Sequence, residues 1–239
     1  MDGKFSKMEE LIDDITALGV LARAKDFDSY FKKYLEKHPE STVVNLGCGL
    51  DTTFFRVDNG KIKWFDLDLP GVIDYRKRFI SESNRNKFIA KPALDFSWFD
   101  DVEFDPEKGI FFMAGGLIYY FSEDQIYELF MKMADYFIGG EMIFDIFSSL
   151  MLKLSDKELD KYVKQGKLMR KDEWALYETS VDKPEKYFSS ISNKLKVIDI
   201  RVIGHDLPPK LNLSKKLMLK IKIAIFLKVM KVVHLRFLP

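Results

Sequence analysis

Apolar residues recur at three- and four-residue steps through the first forty positions: Met8, Leu11, Ile12, Ile15 and Leu18, then Phe27, Tyr30, Phe31, Tyr34 and Leu35. That spacing predicts helix. His38-Pro39 closes it, because the residue before a proline is held out of the helical region. The period then changes. TVVNL at 42–46 is a β-branched apolar run ending at a glycine, the pattern of a strand buried on both faces. KIKWFDL at 61–67, 88–91, GIFFMA at 109–114 and 141–147 read as further strands. Helices are expected between them. Asp51-Thr52-Thr53 offers N-cap residues. Residues 70–80 start with proline, which suits a first helical turn. Ser122 and Gln125 have the spacing of a capping box, opening a helix to about Phe137 that Gly139-Gly140 breaks.

After the fifth strand the pattern turns polar, lysine-rich and helical over about 150–190, and it reads as a cap or lid insertion. Residues 194–203 alternate like a strand, Pro208-Pro209 marks a turn, 213–230 read as helix and 232–238 as a last strand. Strands alternating with helices imply βαβ units. The expected fold class is α/β: a doubly wound, mostly parallel sheet in one domain over 1–239, with N-terminal helices in 1–40.

Composition narrows the function. The 38 Lys+Arg nearly balance 37 Asp+Glu, a formal net charge of +1, which argues against a nucleic-acid partner. Asp206 is followed by eight basic residues and no acidic one. A basic amphipathic helix there suits an anionic membrane surface. The plainer reading, adopted here, packs its apolar face on the domain. The start of the chain carries no secretory pattern and no stretch is apolar enough to span a bilayer, so a cytoplasmic protein is expected. Cys48 is the only cysteine, which fits a reducing compartment.

The sharpest chemical signal is Asn45-Leu46-Gly47-Cys48-Gly49-Leu50-Asp51 between the first strand and its helix. Glycines there let a backbone approach a ligand closely. A dinucleotide fingerprint wants a third glycine at position 52, where this chain has Thr52, so a nicotinamide cofactor loses support. Asp66 and Asp68 lie about twenty residues on, where a carboxylate holds ribose hydroxyls. Their alternation puts both acids on one face, so one can bind while the other caps. Asp95 can accept from an adenine amino group, with Phe96 as an apolar edge. Cys48 reads as a small filler of the turn. His205, just after the sixth strand-like segment, is a weak candidate for a base, His38 and His234 have no partners in sequence, and no metal-ligand spacing appears.

The strings VVNLGCGLDTTFFR, WFDLDLP and FFMAGGLIYYFSEDQ, in this order, resemble the leucine carboxyl methyltransferase family, in particular its bacterial polyketide O-methyltransferase branch. The resemblance runs from about Leu21 to Phe147 and resumes at VVHLRF. It implies a class I S-adenosylmethionine (SAM) methyltransferase fold, with seven strands, the last antiparallel, and a helical cap over the acceptor pocket. Under it Arg23 pairs with the methionine carboxylate. Gly47, Cys48, Gly49 and Asp51 lie under the methionine. Asp68 and Leu69, with Asp66, take the ribose, and Asp95 and Phe96 the adenine. Ala114 and Gly115 complete the cofactor pocket, although the family's glutamate is here Gly115. Tyr119, Tyr120, Trp174 and Tyr177 are candidates for the acceptor pocket. The implied activity is O-methylation of a carboxyl or hydroxyl oxygen on a small molecule, with S-adenosylhomocysteine as product. A nicotinamide oxidoreductase and a non-catalytic SAM-binding domain stand as alternatives.

Overall fold

The computed structural model describes residues 14–164, 177–204 and 230–239. Helix α1 spans Asp14–Lys37 and stops before His38-Pro39. Seven strands follow: β1 Thr42–Leu46, β2 Lys63–Asp68, β3 Asn86–Ala90, β4 Ile110–Ala114, β5 Glu141–Phe147, β6 Leu195–Val202 and β7 Met230–Phe237. Short helices α2 (Thr53–Val57) and α3 (Pro70–Arg76) follow β1 and β2, and α4 (Glu123–Tyr136) precedes β5. Helices α5 (Ser149–Lys164) and α6 (Pro184–Ile191) lie in the stretch read as a cap. The 213–230 helix and the basic tail before Met230 lie outside the described residues.

The strands form one sheet in the order β3-β2-β1-β4-β5-β7-β6. β1 to β5 are parallel, and β7 runs antiparallel to both β5 and β6. The antiparallel β7 between β5 and β6 departs from the 3-2-1-4-5-6 order of a dinucleotide sheet. The nicotinamide alternative therefore loses its fold as well as its third glycine.

The sequence explains both layers. Val44, Leu46, Phe65, Phe112 and Phe144 point to one face, where α4 buries Ile126, Leu129, Phe130 and Met133. Val43, Trp64, Phe111, Met113 and Ile143 point to the other, where α1 lays Phe27, Tyr30, Phe31 and Tyr34. Phe31 meets Trp64 and Phe111 at centroid distances of 5.4 and 4.9 Å. Each such buried side chain contributes about 1.5–3 kcal/mol. Ser122 and Gln125 cap α4 reciprocally, as their spacing requires. On the α1 side three polar residues interrupt the apolar strands near their carboxyl ends: Asn45, Asp66 and Asp145, each 2% exposed or less. Buried polar groups need partners, and theirs lead to the site.

Candidate active site

The sheet reverses its strand order between β1 and β4, and in an open α/β sheet the crevice at that point is where ligands bind. Here it has a volume of about 350 Å³. α1 contributes Arg23 and Phe27, β1 contributes Asn45, the following turn contributes Gly47 through Asp51, and β4 contributes Met113 and Gly115. A larger hollow of about 600 Å³ lies along the outer edge of β3. Its rim is lysines and acids, and the glycine turn is not part of it, so the smaller crevice is the better site.

Gly47 and Gly49 have φ of +66° and +47°, a region in which side chains other than glycine are strained. The N–H groups of Gly47 and Cys48 both donate to the Leu67 carbonyl, at 2.8 and 3.1 Å. Gly49 N donates to Asp68 Oδ2 at 2.8 Å, and Leu69 N donates to Asp68 Oδ1 at 2.7 Å. A carboxylate has about four acceptor sites, so Asp68 keeps two for a ligand's hydroxyls. Leu69 beside it is half exposed.

Asp66 does not share that role. It has no exposure and accepts from Asn45 Nδ2 at 3.0 Å, Trp64 Nε1 at 2.8 Å and Arg76 Nη2 at 2.6 Å. Burial pushes its carboxyl up, and those donors pull it back. All three bonds are to the protein itself, as the expectation that one acid of the pair binds while the other caps allows. Asp95 and Phe96, like Asp68, are not among the residues that line the crevice. Asp95 is exposed and caps a 3₁₀ turn by accepting from Ser97 N, and the Phe96 ring carries the Lys132 ammonium 4.1 Å from its centroid. Asp51 does line the crevice, and both its oxygens accept from Thr53 at the start of α2, within the trio expected to supply its cap. Ala114 is fully buried and faces the core.

Arg23 reaches the crevice from α1. Its Nη1 donates to Asp145 Oδ2 at 2.9 Å, and Asp145 Oδ1 accepts from Gly116 N at 2.6 Å. Burial works against the guanidinium charge, yet Asp145 and Tyr119 beside it hold it protonated above its usual range. Sequence reasoning missed Asp145, although a lone acid in the apolar run EMIFDIF was the available signal. It also missed Asn45 and Met113. Tyr119 stacks on Phe147 at 4.0 Å, and Tyr177 packs edge-on against both rings. Tyr120 is 39% exposed beside Tyr177. Burial pushes the hydroxyls of Tyr119, Tyr120 and Tyr177 up, so they stay protonated. Trp174 and His205 lie outside the described residues. Among the described residues no group of three or more His, Cys, Asp or Glu could hold a metal ion. No helix among them is long and apolar enough to cross a membrane.

Comparison with known proteins bears on this geometry. Residues 4–134, more than half of the chain, match the model of the leucine carboxyl methyltransferase family. The chain is 29% identical over 146 residues to the tetracenomycin polyketide synthesis O-methyltransferase TcmP of Streptomyces glaucescens, covering 61% of this chain and 53% of that protein. It thus spans about half the length of that relative. Among solved structures it is similar to magnesium protoporphyrin IX methyltransferase (ChlM) from Synechocystis PCC 6803 with bound SAH (S-adenosylhomocysteine), with a TM-score of 0.57 at 8% identity, covering 99% of this chain and 95% of that one. It is also similar to the N-methyltransferase NodS from Bradyrhizobium japonicum WM9 in complex with SAH, with a TM-score of 0.54 at 12% identity, covering 97% and 96%. These structural likenesses show a shared fold. The family match places the protein: the chain belongs to the leucine carboxyl methyltransferase family.

Proposed function

We propose that this chain transfers a methyl group from SAM to a carboxyl or hydroxyl oxygen of a small molecule. The observation that carries the reading is a crevice lined by the Gly47–Gly49 turn and by Arg23, with Asp68 bound to the Gly49 amide. A ribose, a carboxylate and a chain between them match that set. Asp68 has two acceptor sites for hydroxyls, Arg23 has donors for a carboxylate, and the glycines admit the ligand against backbone. When bound, SAM supplies an electrophilic methyl group. The chain's own residues orient it and exclude water, which is most of what an in-line displacement needs.

The oxygen acceptor is supported by the printed name of the Streptomyces relative, an O-methyltransferase. The ionisable groups beside Arg23 sharpen that reading. Tyr119 is held protonated by burial and so accepts no proton at neutral pH. This favours an acceptor that ionises by itself, a carboxylate or an acidic phenol, over an aliphatic alcohol that needs a base.

Calorimetric titration of the wild type and Asp68→Ala with SAM, SAH and NADH tests the reading. Binding of both adenosyl ligands, weakened in Asp68→Ala by at least about tenfold, is expected. Silence toward both would reject it. A panel of carboxylate, phenol and alcohol acceptors with radiolabelled SAM then tests the acceptor.

A further inference from the structure

Asp66 and Arg76 are each 1% exposed in their side chains and paired at 2.6 Å directly beneath the glycine turn. Such a pair contributes little net stability, because desolvation offsets the attraction. Arg76 also leaves its Nε buried without a partner, a cost that a purely structural residue would not need. What it gains is a second bond: Arg76 Nη1 donates to the Gly49 carbonyl at 2.9 Å. The same glycine donates its N–H to Asp68. Gly49 is therefore held from both sides, by α3 through its carbonyl and by the acid at the end of β2 through its amide. Asp66 completes the frame by accepting from Asn45, a crevice residue, and from Trp64.

We propose that the buried Arg76–Asp66 pair is a positioning device for the ligand site: it fixes the Gly49 peptide, and through it the orientation of the Asp68 carboxylate that receives a ribose. Neither residue touches the ligand. The planar guanidinium suits this task because its two nitrogens reach a carboxylate and a carbonyl at once in fixed geometry. This role rests on the adenosyl reading of the crevice.

The test is Asp66→Asn/Arg76→Met. It removes both charges together, which buried pairs tolerate, and leaves an oxygen for Asn45 and Trp64. The expected result is a folded protein with a Tm close to the wild type. Its SAH affinity should fall by about tenfold or more. A 2′-deoxyribose analogue of SAH should bind the wild type worse than SAH does, and the variant should lose that discrimination. Arg76→Lys, which keeps the charge at Asp66 but lacks the fork, should show the same two losses and decides the matter if the double variant does not fold. A folded variant with wild-type affinity and an intact 2′-hydroxyl preference overturns the proposal. Hydrogen exchange at the Gly49 amide separates this failure from failure of the adenosyl reading. Exchange should be faster in both variants while the β1 and β4 amides stay protected, whether or not wild type binds SAH, and unchanged exchange counts against the device.

Discussion

Arg23 Nη1 lies 2.9 Å from Asp145 Oδ2, joining the first helix to the fifth strand across 122 residues of chain. Asp145 has no exposure and sits between Ile143 and Phe147 on one face of β5. Arg23 makes that burial tolerable, and Asp145 in turn keeps the guanidinium under the turn that follows β4. The two partners are not equivalent. Arg23 is 21% exposed and can turn to water if Asp145 goes, whereas Asp145 has nowhere to turn. Arg23→Met should therefore cost about 3–5 kcal/mol in urea unfolding. Asp145→Asn should cost clearly less, because the amide oxygen still accepts from Gly116. Equal losses would refute this account of the pair.

Gly115 and Gly116 face the same arginine but differ in what they tolerate. At Gly116, φ is +81° and an added Cβ would lie 2.9 Å from Arg23 Nη1 and 3.1 Å from the Tyr119 hydroxyl. Gly116→Ala should cost about 1–2 kcal/mol in strain alone and also displace Arg23, so SAM affinity should drop with stability. At Gly115 the backbone is ordinary and the nearest atom to an added Cβ is Phe27 Cε2 at 3.3 Å, a ring edge that can yield a few tenths of an ångström. Asp51 is the only acid among the described residues that line the crevice, and each of its oxygens accepts from Thr53. Gly115→Glu, which restores the family's residue, should supply a carboxylate for the ligand's ammonium. Calorimetry should show tighter SAM binding with little loss of Tm; weaker binding would mean that the crevice has been rebuilt around the glycine.

Much of this arrangement could be read along the chain, and the reasons are local. β1, β4 and β5 are short unbroken apolar runs, which only a strand covered on both faces explains. The turn at Gly47–Gly49 needs positive φ, so its glycines announce themselves. What could not be read is which of two alternating acids is enclosed by protein donors and which is left partly open beside the glycine turn. Asp66 and Asp68 look alike in one dimension. They are separated only by Arg76, which in sequence resembles an ordinary surface arginine of a short helix. Asp95 and Phe96 hold the expected position along the chain, where a 3₁₀ turn engages Asp95 with its own backbone.

Cys48 lies inside the turn and is 2% exposed. Burial pushes its thiol up, with Asp66 adding to the effect and Arg76 opposing it. The thiolate, not the thiol, reacts with alkylating agents. The folded protein should therefore resist iodoacetamide near pH 8 and be labelled once in urea, as read by intact mass. Rapid labelling of the native state would show that the turn opens far more readily than its hydrogen bonds suggest. Cys48→Ala should fold and retain SAM binding, because the side chain fills space and supplies no chemistry.

Glu141 begins β5 opposite Arg236 of β7 and is nearly buried. His234 Nε2 lies 2.7 Å from its Oε2, and Arg236 Nε donates to its Oε1 at 2.9 Å. Burial pushes this carboxyl up, but the hydrogen bonds and charges of His234 and Arg236 outweigh it and leave it below the usual glutamate range. The unfolded chain, with an ordinary value of about 4.3, then binds more protons than the folded one across the interval between the two values. Stability rises with pH through that interval. The contribution of Glu141 is thus fully present above about pH 5 and is lost as pH falls through the folded value. Urea unfolding from pH 3 to 7 should show Glu141→Gln losing most at neutral pH and converging on the wild type in acid. Parallel curves across the range would mean that the carboxylate is not held by its two partners in the folded state.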